Sequence, residues 1–290
     1  MATHRFPELD PAAITATRDA MHAYARVLGG WLATSRRRRK HWWHASLRPS
    51  LTGLTTGVVR AGVDFELELD FIASQLRVRT MEHDLTEDLA GQSAESIACW
   101  LDDTLAAAGV DASLAPGDKV RGDQQFADYS ATHAIALQGA IASVSAALEH
   151  FRAGIREETS PVQVWPHHFD LSMIWLPGHK VPDQDPADEE YADKQMNFGF
   201  AFGDEGIEEP YFYITAYPLP DALPKVGLPA GTTWKSEGFS GAVLLYSDLA
   251  AMNDPARYLQ EVWSILLAAG QAHLATSGFR PDPPAVPQVK

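Results

Sequence analysis

The sequence predicts an α+β fold, an antiparallel sheet or sheets backed by about four helices. Three observations predict it. Apolar residues recur at helical spacing after Asp10-Pro11. The segment "FELELDF" alternates apolar and acidic residues with the period of a half-buried strand. A second, aromatic run of alternating segments lies between Val162 and Tyr246 and is followed by another helical pattern.

The first helix starts where Asp10 can cap it and Pro11 suits its first position, and Ile14, Met21, Tyr24, Leu28 and Trp31 form its apolar stripe. It is expected to end near the basic run Arg36–Lys40. Those cations then either offset the negative end of the helix dipole or form a phosphate or partner patch. "HWWHASLRPSLTGLTTGVV" reads as one or two strands broken near Pro49 and Gly53. In the hairpin that follows, Phe65, Leu67, Leu69 and Phe71 face in, while Glu66, Glu68 and Asp70 face out. A two-residue turn at Ala73-Ser74 sets Asp70 opposite Arg77 and Glu68 opposite Arg79.

Helices are predicted over Ser93–Ala108 and Asp123–Arg156, with "APGD" as the turn between them. Strands are predicted at Val164–Trp175, Met196–Phe202, Tyr211–Tyr217 and Ala242–Tyr246, and a last helix from Asp254-Pro255 carries Leu259, Val262 and Leu266. Residues 1–280 are read as one unit and the Pro-rich tail 281–290 as disordered. The order of elements also suggests two similar α-β-α halves, 10–115 and 116–278, with "HWWHASL" and "HHFDLSM" in equivalent places.

A net charge of −15 argues against duplex nucleic acid and anionic membranes as partners. Cys99 is the only cysteine, so no intramolecular disulfide can form; in "SIACWL" it is expected to be a small buried thiol. The N-terminus shows no signal-peptide core and no long uninterrupted apolar run follows, so the expected location is cytoplasmic.

The candidate chemistry lies in "SPVQVWPHHFDLSMIWLPGHK". A continuous strand over Val164–Trp175 places His167 on the apolar face, as a hydrogen-bonded core histidine. His168 and Asp170 then share the polar face. That pair suits an imidazole oriented by a carboxylate, two ligands of a metal-assisted hydrolase-like site, or a solvated surface. No third metal ligand stands at a recognisable spacing, and HExxH, Gly-x-Ser-x-Gly, P-loop and GxGxxG motifs are all missing. The sequence therefore assigns neither metal nor cofactor.

Aromatic density singles out the same region. Trp165–Tyr217 holds eleven aromatic residues, about twice the chain-wide 10%. Trp165, Tyr211, Tyr213 and Tyr217 are the candidate ligand-binding residues, because a tyrosine row on a polar strand face offers flat apolar bodies with hydroxyl handles. His168 and Asp170 are the candidate catalytic pair. The acidic loops Gly178–Lys194 and "GDEGIEEP" are expected either to flank such a pocket or to be solvated charge. Two functional classes follow: a cytosolic small-molecule-binding protein or enzyme, and a non-catalytic interaction or homo-oligomeric module using the same aromatic surface.

At "KHWWHASLRPSLTGLTTG", "FELELDFIASQLRV", "SPVQVWPHHFDLSMIWLPG", "FGFAFGD" and "PYFYITAYP" the chain resembles a bacterial family known as domain of unknown function 5996. The resemblance runs from about Trp31 to the last helix. It implies a bacterial, cytoplasmic protein whose two β regions belong to one unit, and it supplies no activity, cofactor or catalytic residue. Similar proteins carry Trp-Gly-Ser or a related small segment before "FDL", where this chain has Pro166-His167-His168. The run Arg36–Lys40 also looks particular to this chain.

Overall fold

The computed structural model describes residues 6–275, and the predicted disordered tail lies outside the described residues. The class is α+β: two antiparallel sheets and five helices, one of them a short turn. Helix α1, Pro11–Ser35, begins as its sequence predicts. Asp10 Oδ1 accepts from the N–H groups of Ala12 and Ala13, and the stripe from Ile14 to Trp31 is buried.

The basic run is not the last turn of α1. Arg36 is the cap residue, and the cations beyond it tie the following segment to other parts of the chain. Arg36 Nη2 donates to Thr56 O at 2.7 Å, Arg38 pairs with Glu189 at 2.8 Å, and Lys40 pairs with Glu158 at 3.2 Å. The expected helix-dipole role is replaced by these long-range ties.

The first sheet holds β1 (Arg48–Pro49), β2 (Gly53–Thr55), β3 (Val59–Ala61), β4 (Val63–Asp70), β5 (Gln75–Thr80) and β6 (Asp84–Asp88), in the order β1-β2-β4-β5-β6 with β3 also on β4. The β4–β5 register differs from the expected one by two residues: Asp70 faces Gln75, Glu68 faces Arg77 and Glu66 faces Arg79. Ala73-Ser74 lack the chemistry of a two-residue hairpin turn, and the chain turns over four residues instead. Asp70 Oδ1 accepts from Ala73 N and Ser74 takes φ 57°. A two-residue slip keeps every side chain on its face. Glu68 nonetheless lies buried rather than solvated, because Ser50, Thr52 and Arg79 all donate to its carboxylate.

Helix α2, Ala94–Ala107, carries a Ser93–Ser96 capping box. Cys99 is exposed on it, not buried, with Sγ 3.2 Å from Glu95 Oε1. Helix α3, Ala131–Ala153, is shorter than expected because Ser130 caps it; Asp123–Tyr129 approaches as irregular chain. By length and composition α3 could cross a membrane, yet here Leu137, Ile141, Val144 and Leu148 are buried in the core.

The second sheet holds β7 (Glu158–Thr159), β8 (Gln163–Trp165), β9 (Asp170–Leu176), β10 (Gln195–Ala201), β11 (Tyr211–Tyr217), β12 (Thr232–Lys235) and β13 (Gly241–Leu245), ordered β12-β13-β11-β10-β9-β7 with β8 also on β9. Helices α4 (Tyr246–Ala250) and α5 (Pro255–Leu274) complete the chain, and Asp254 caps α5. One contiguous core draws on both sheets and on every helix. The halves also meet at a backbone bridge, Leu47 with Val164, at 2.9 and 3.0 Å.

Candidate functional site

The site is built on the face of the second sheet that turns away from its helices. Strand alternation puts Leu171, Met173, Phe198, Phe200, Phe212 and Ile214 into the core. Asp170, Ser172, Asn197, Gly199, Tyr211, Tyr213 and Tyr217 are left on the other face. Ser172, Gly199 and Tyr213 form one cross-strand row, and Asp170, Ala201 and Tyr211 form the next. Gly199 empties the middle of its row. A Cβ there would overlap the Tyr213 ring, so the ring can lie back across β10. Its hydroxyl then reaches diagonally to β9 and donates to Asp170 Oδ2.

Asp170 is 8% exposed, and its second oxygen, Oδ1, has no hydrogen-bond partner. Burial raises this carboxyl above its ordinary range, outweighing the Tyr213 hydrogen bond and the attraction of His168. Burial first, and then the adjoining Asp170, push the Tyr213 phenol well up. Both shifts favour the neutral forms of the two groups, which the Tyr213 hydrogen bond joins. Beside them Trp165 Nε1 donates to Ser172 Oγ at 2.6 Å.

The predicted strand Val164–Trp175 is interrupted. Pro166 has no N–H for a ladder, and the chain reverses through Pro166–Phe169 between β8 and β9, which pair antiparallel. His168 N and Phe169 N both donate to Trp165 O, and Phe169 adopts φ 55°. Both imidazoles consequently point outward, their ring centroids 4.4 Å apart. His167 is thus an exposed turn residue, not a core histidine. The chain packed around it, then His168 and His22, push its imidazole down to about 4. His168 makes no hydrogen bond to Asp170; Tyr213 takes that place.

These groups border a hollow of about 290 Å³. Asp170, Ser172, Asn197 and Tyr213 form its floor, His41, Trp165 and Tyr217 its walls, and Trp42, His167, His168, Glu190 and Tyr191 its rim. A neighbouring hollow of about 490 Å³ against Gly29 and Gly30 of α1 shares Trp42, His167, His168 and Glu190 with it. Five of the six candidates named from sequence, Trp165, His168, Asp170, Tyr213 and Tyr217, line the first hollow. Tyr211 does not: it is buried, and its hydroxyl donates to Asp204 Oδ2 at 2.5 Å.

Sequence reasoning missed His41, Trp42, Glu190, Tyr191 and Asn197. The first two come from the other half of the chain, where "HWWHASL" borders the hollow together with the "PHHFD" turn. His41 and Trp42 take φ 52° and 56°, left-handed conformations that cost about 1–3 kcal/mol each and gather at functional sites. The acidic loop Gly178–Lys194 does flank the hollow. Asp188 Oδ1 accepts from Glu190 N and Tyr191 N, and Glu189 O accepts from His41 N. The second acidic loop lines a further groove with Arg18 and His22, which shares His167 and His168 with the hollow.

Among the described residues, no three His, Cys, Asp or Glu side chains stand together to hold a metal ion. The metal-assisted arrangement around His168 and Asp170 has no third donor.

A model for a family of unknown function, DUF5996, matches residues 6–275. Neither the curated proteins nor the solved structures gave a match.

Proposed function

The chain belongs to the family of unknown function DUF5996, and from the site itself we propose that it is a cytoplasmic small-molecule-binding protein or enzyme. It would hold its ligand in the hollow over the second sheet. The observation that carries this reading is the free oxygen of Asp170. A buried acceptor without a partner costs about 1–3 kcal/mol, and such a group calls for an explanation. Asp170 Oδ1 is buried and unpartnered, and its residue borders the hollow. A ligand donor placed there supplies the missing bond. Tyr213 and Asp170 then act as positioning and acid groups, and His168 on the rim is the exchangeable base.

The test is a thermal-shift panel of metabolites and divalent ions on the full chain, wild type beside Tyr213→Phe. A ligand at about 100 times its Kd adds about 2.7 kcal/mol, a rise of several degrees at ~2–4 °C per kcal/mol. We expect at least one hit whose shift falls in Tyr213→Phe while the apparent mass stays constant.

A second reading rests on Trp42 and Tyr191, each 44% exposed at the rim. These are aromatic anchors of the kind a partner surface uses. In that case Tyr213→Ala weakens an oligomer in size-exclusion chromatography, and no metabolite shifts the melting temperature.

A further inference from the structure

We propose that the ligand is a small organic cation, a protonated primary amine on an apolar or aromatic body, whose N–H donates to Asp170 Oδ1. This rests on the hollow being a ligand site and names the chemistry it selects. The residues lining it include two carboxyl groups, Asp170 and Glu190, and no lysine or arginine. A ligand carboxylate or phosphate would meet no cation there and two acids. Burial, and then the neighbouring Lys40, lower His41, and His167 stays neutral at pH 7.

The aromatic lining fits the same ligand. Trp42, Trp165, Tyr191 and Tyr217 line the hollow, and aromatic rings attract a cation within about 6 Å of a face. The adjoining segment already uses this attraction: Arg38 lies 5.1 Å from the ring centre of Trp42, and Lys40 lies 5.4 Å from that of Trp43. A hollow of about 290 Å³ sits at the small end of ligand sites. The chain's net charge of −15 draws cations toward it.

Asp170 is faced by Tyr211 and Tyr213 from β11 and by His168 from the preceding turn, whose attraction, like the Tyr213 hydrogen bond, is outweighed by burial. An ammonium seated beside Asp170 favours the ionised carboxylate and offsets the burial that raises its pKa. The requirement for an N–H separates a primary amine from a quaternary ammonium, which has nothing to donate.

The experiment is isothermal titration of the full chain with three probes of one shape, 2-phenylethylammonium, 2-phenylethanol and phenylacetate, and with tetramethylammonium. The metabolite thermal-shift panel is run beside it. We expect 2-phenylethylammonium to bind at least about ten-fold more tightly than the alcohol, phenylacetate to give no heat, and Asp170→Asn to abolish the preference. Glu190→Gln, at an exposed rim position, is a second variant that leaves the fold untouched, and it should weaken the ammonium by about two- to five-fold. Equal or tighter binding of the alcohol or the acid, tighter binding of tetramethylammonium, or no heat from 2-phenylethylammonium overturns the proposal. In those cases a panel hit lost in Tyr213→Phe leaves the ligand site standing with another ligand class. A blank panel removes both.

Discussion

A methyl group at Gly199 would overlap the Tyr213 ring, so this position holds the tyrosine in place without touching any ligand. Gly199→Ala should force the ring off β10, separate its hydroxyl from Asp170, and cost about 1–3 kcal/mol as overpacking does. Thermal unfolding measures the cost, and Tyr213→Phe, which keeps the ring and removes only the hydroxyl, is the control. Asp170 carries the clearest pH signature. Its folded carboxyl is raised by burial, so between the ordinary value of 3.8 and its folded value the native chain binds more protons than the unfolded one. Stability from this group is therefore fully present below 3.8 and is lost as pH rises through the folded value. Asp170→Asn removes that loss, so its melting temperature should gain on wild type as pH rises from about 4 to 8. A constant difference across the range would refute the upward shift of this carboxyl. At this scale the tyrosine face was legible from alternation alone. The Asp170–Tyr213 bond was not, because it depends on a register spanning three strands and on a glycine between them.

Among the elements, the β4–β5 hairpin and the Pro166–Phe169 turn show where local patterning fails. Alternation names the faces of β4 and β5, but a slip of two residues leaves the faces unchanged and cannot be read from them. Double-mutant cycles should find coupling of about 0.2–1 kcal/mol between Glu68 and Arg79, which touch at 2.8 Å. They should find none between Asp70 and Arg77, which a two-residue turn would have paired. Coupling in the second pair as strong as in the first would contradict the four-residue turn. Pro166 was the visible warning in the other case, since proline inside a strand pattern marks an end or an edge. Three helix starts were read well because their signals are local: Asp10, Ser93 and Asp254 each cap the helix that follows, whereas the start of α3 was placed at Asp123 and its cap, Ser130, was missed. Asp10→Ala should cost about 1 kcal/mol, a fall of a few degrees in melting temperature.

Across the whole molecule, composition and element order were enough for the α+β class, while the joining of the two β regions was not legible. Leu47 and Val164 are far apart in sequence, and neither carries a pairing signal of its own. Their bridge, the ties from Arg38 and Lys40 to the second half, and a core drawn from both sheets bind the halves together. A shared core predicts one cooperative transition, with far-ultraviolet circular dichroism and tryptophan fluorescence melting together. Two separated midpoints would show that the halves unfold independently.

The origin of His41 and Trp42 carries a further consequence. They reach the hollow from the first half of the chain, whereas the rest of its lining lies in the second. Cutting the irregular stretch between α2 and α3 would yield two pieces, neither holding a complete site. Mixed together, the pieces should reassemble through the shared core. A ligand seated among residues from both would bridge them, so adding it should lower the concentration at which fragment complementation occurs.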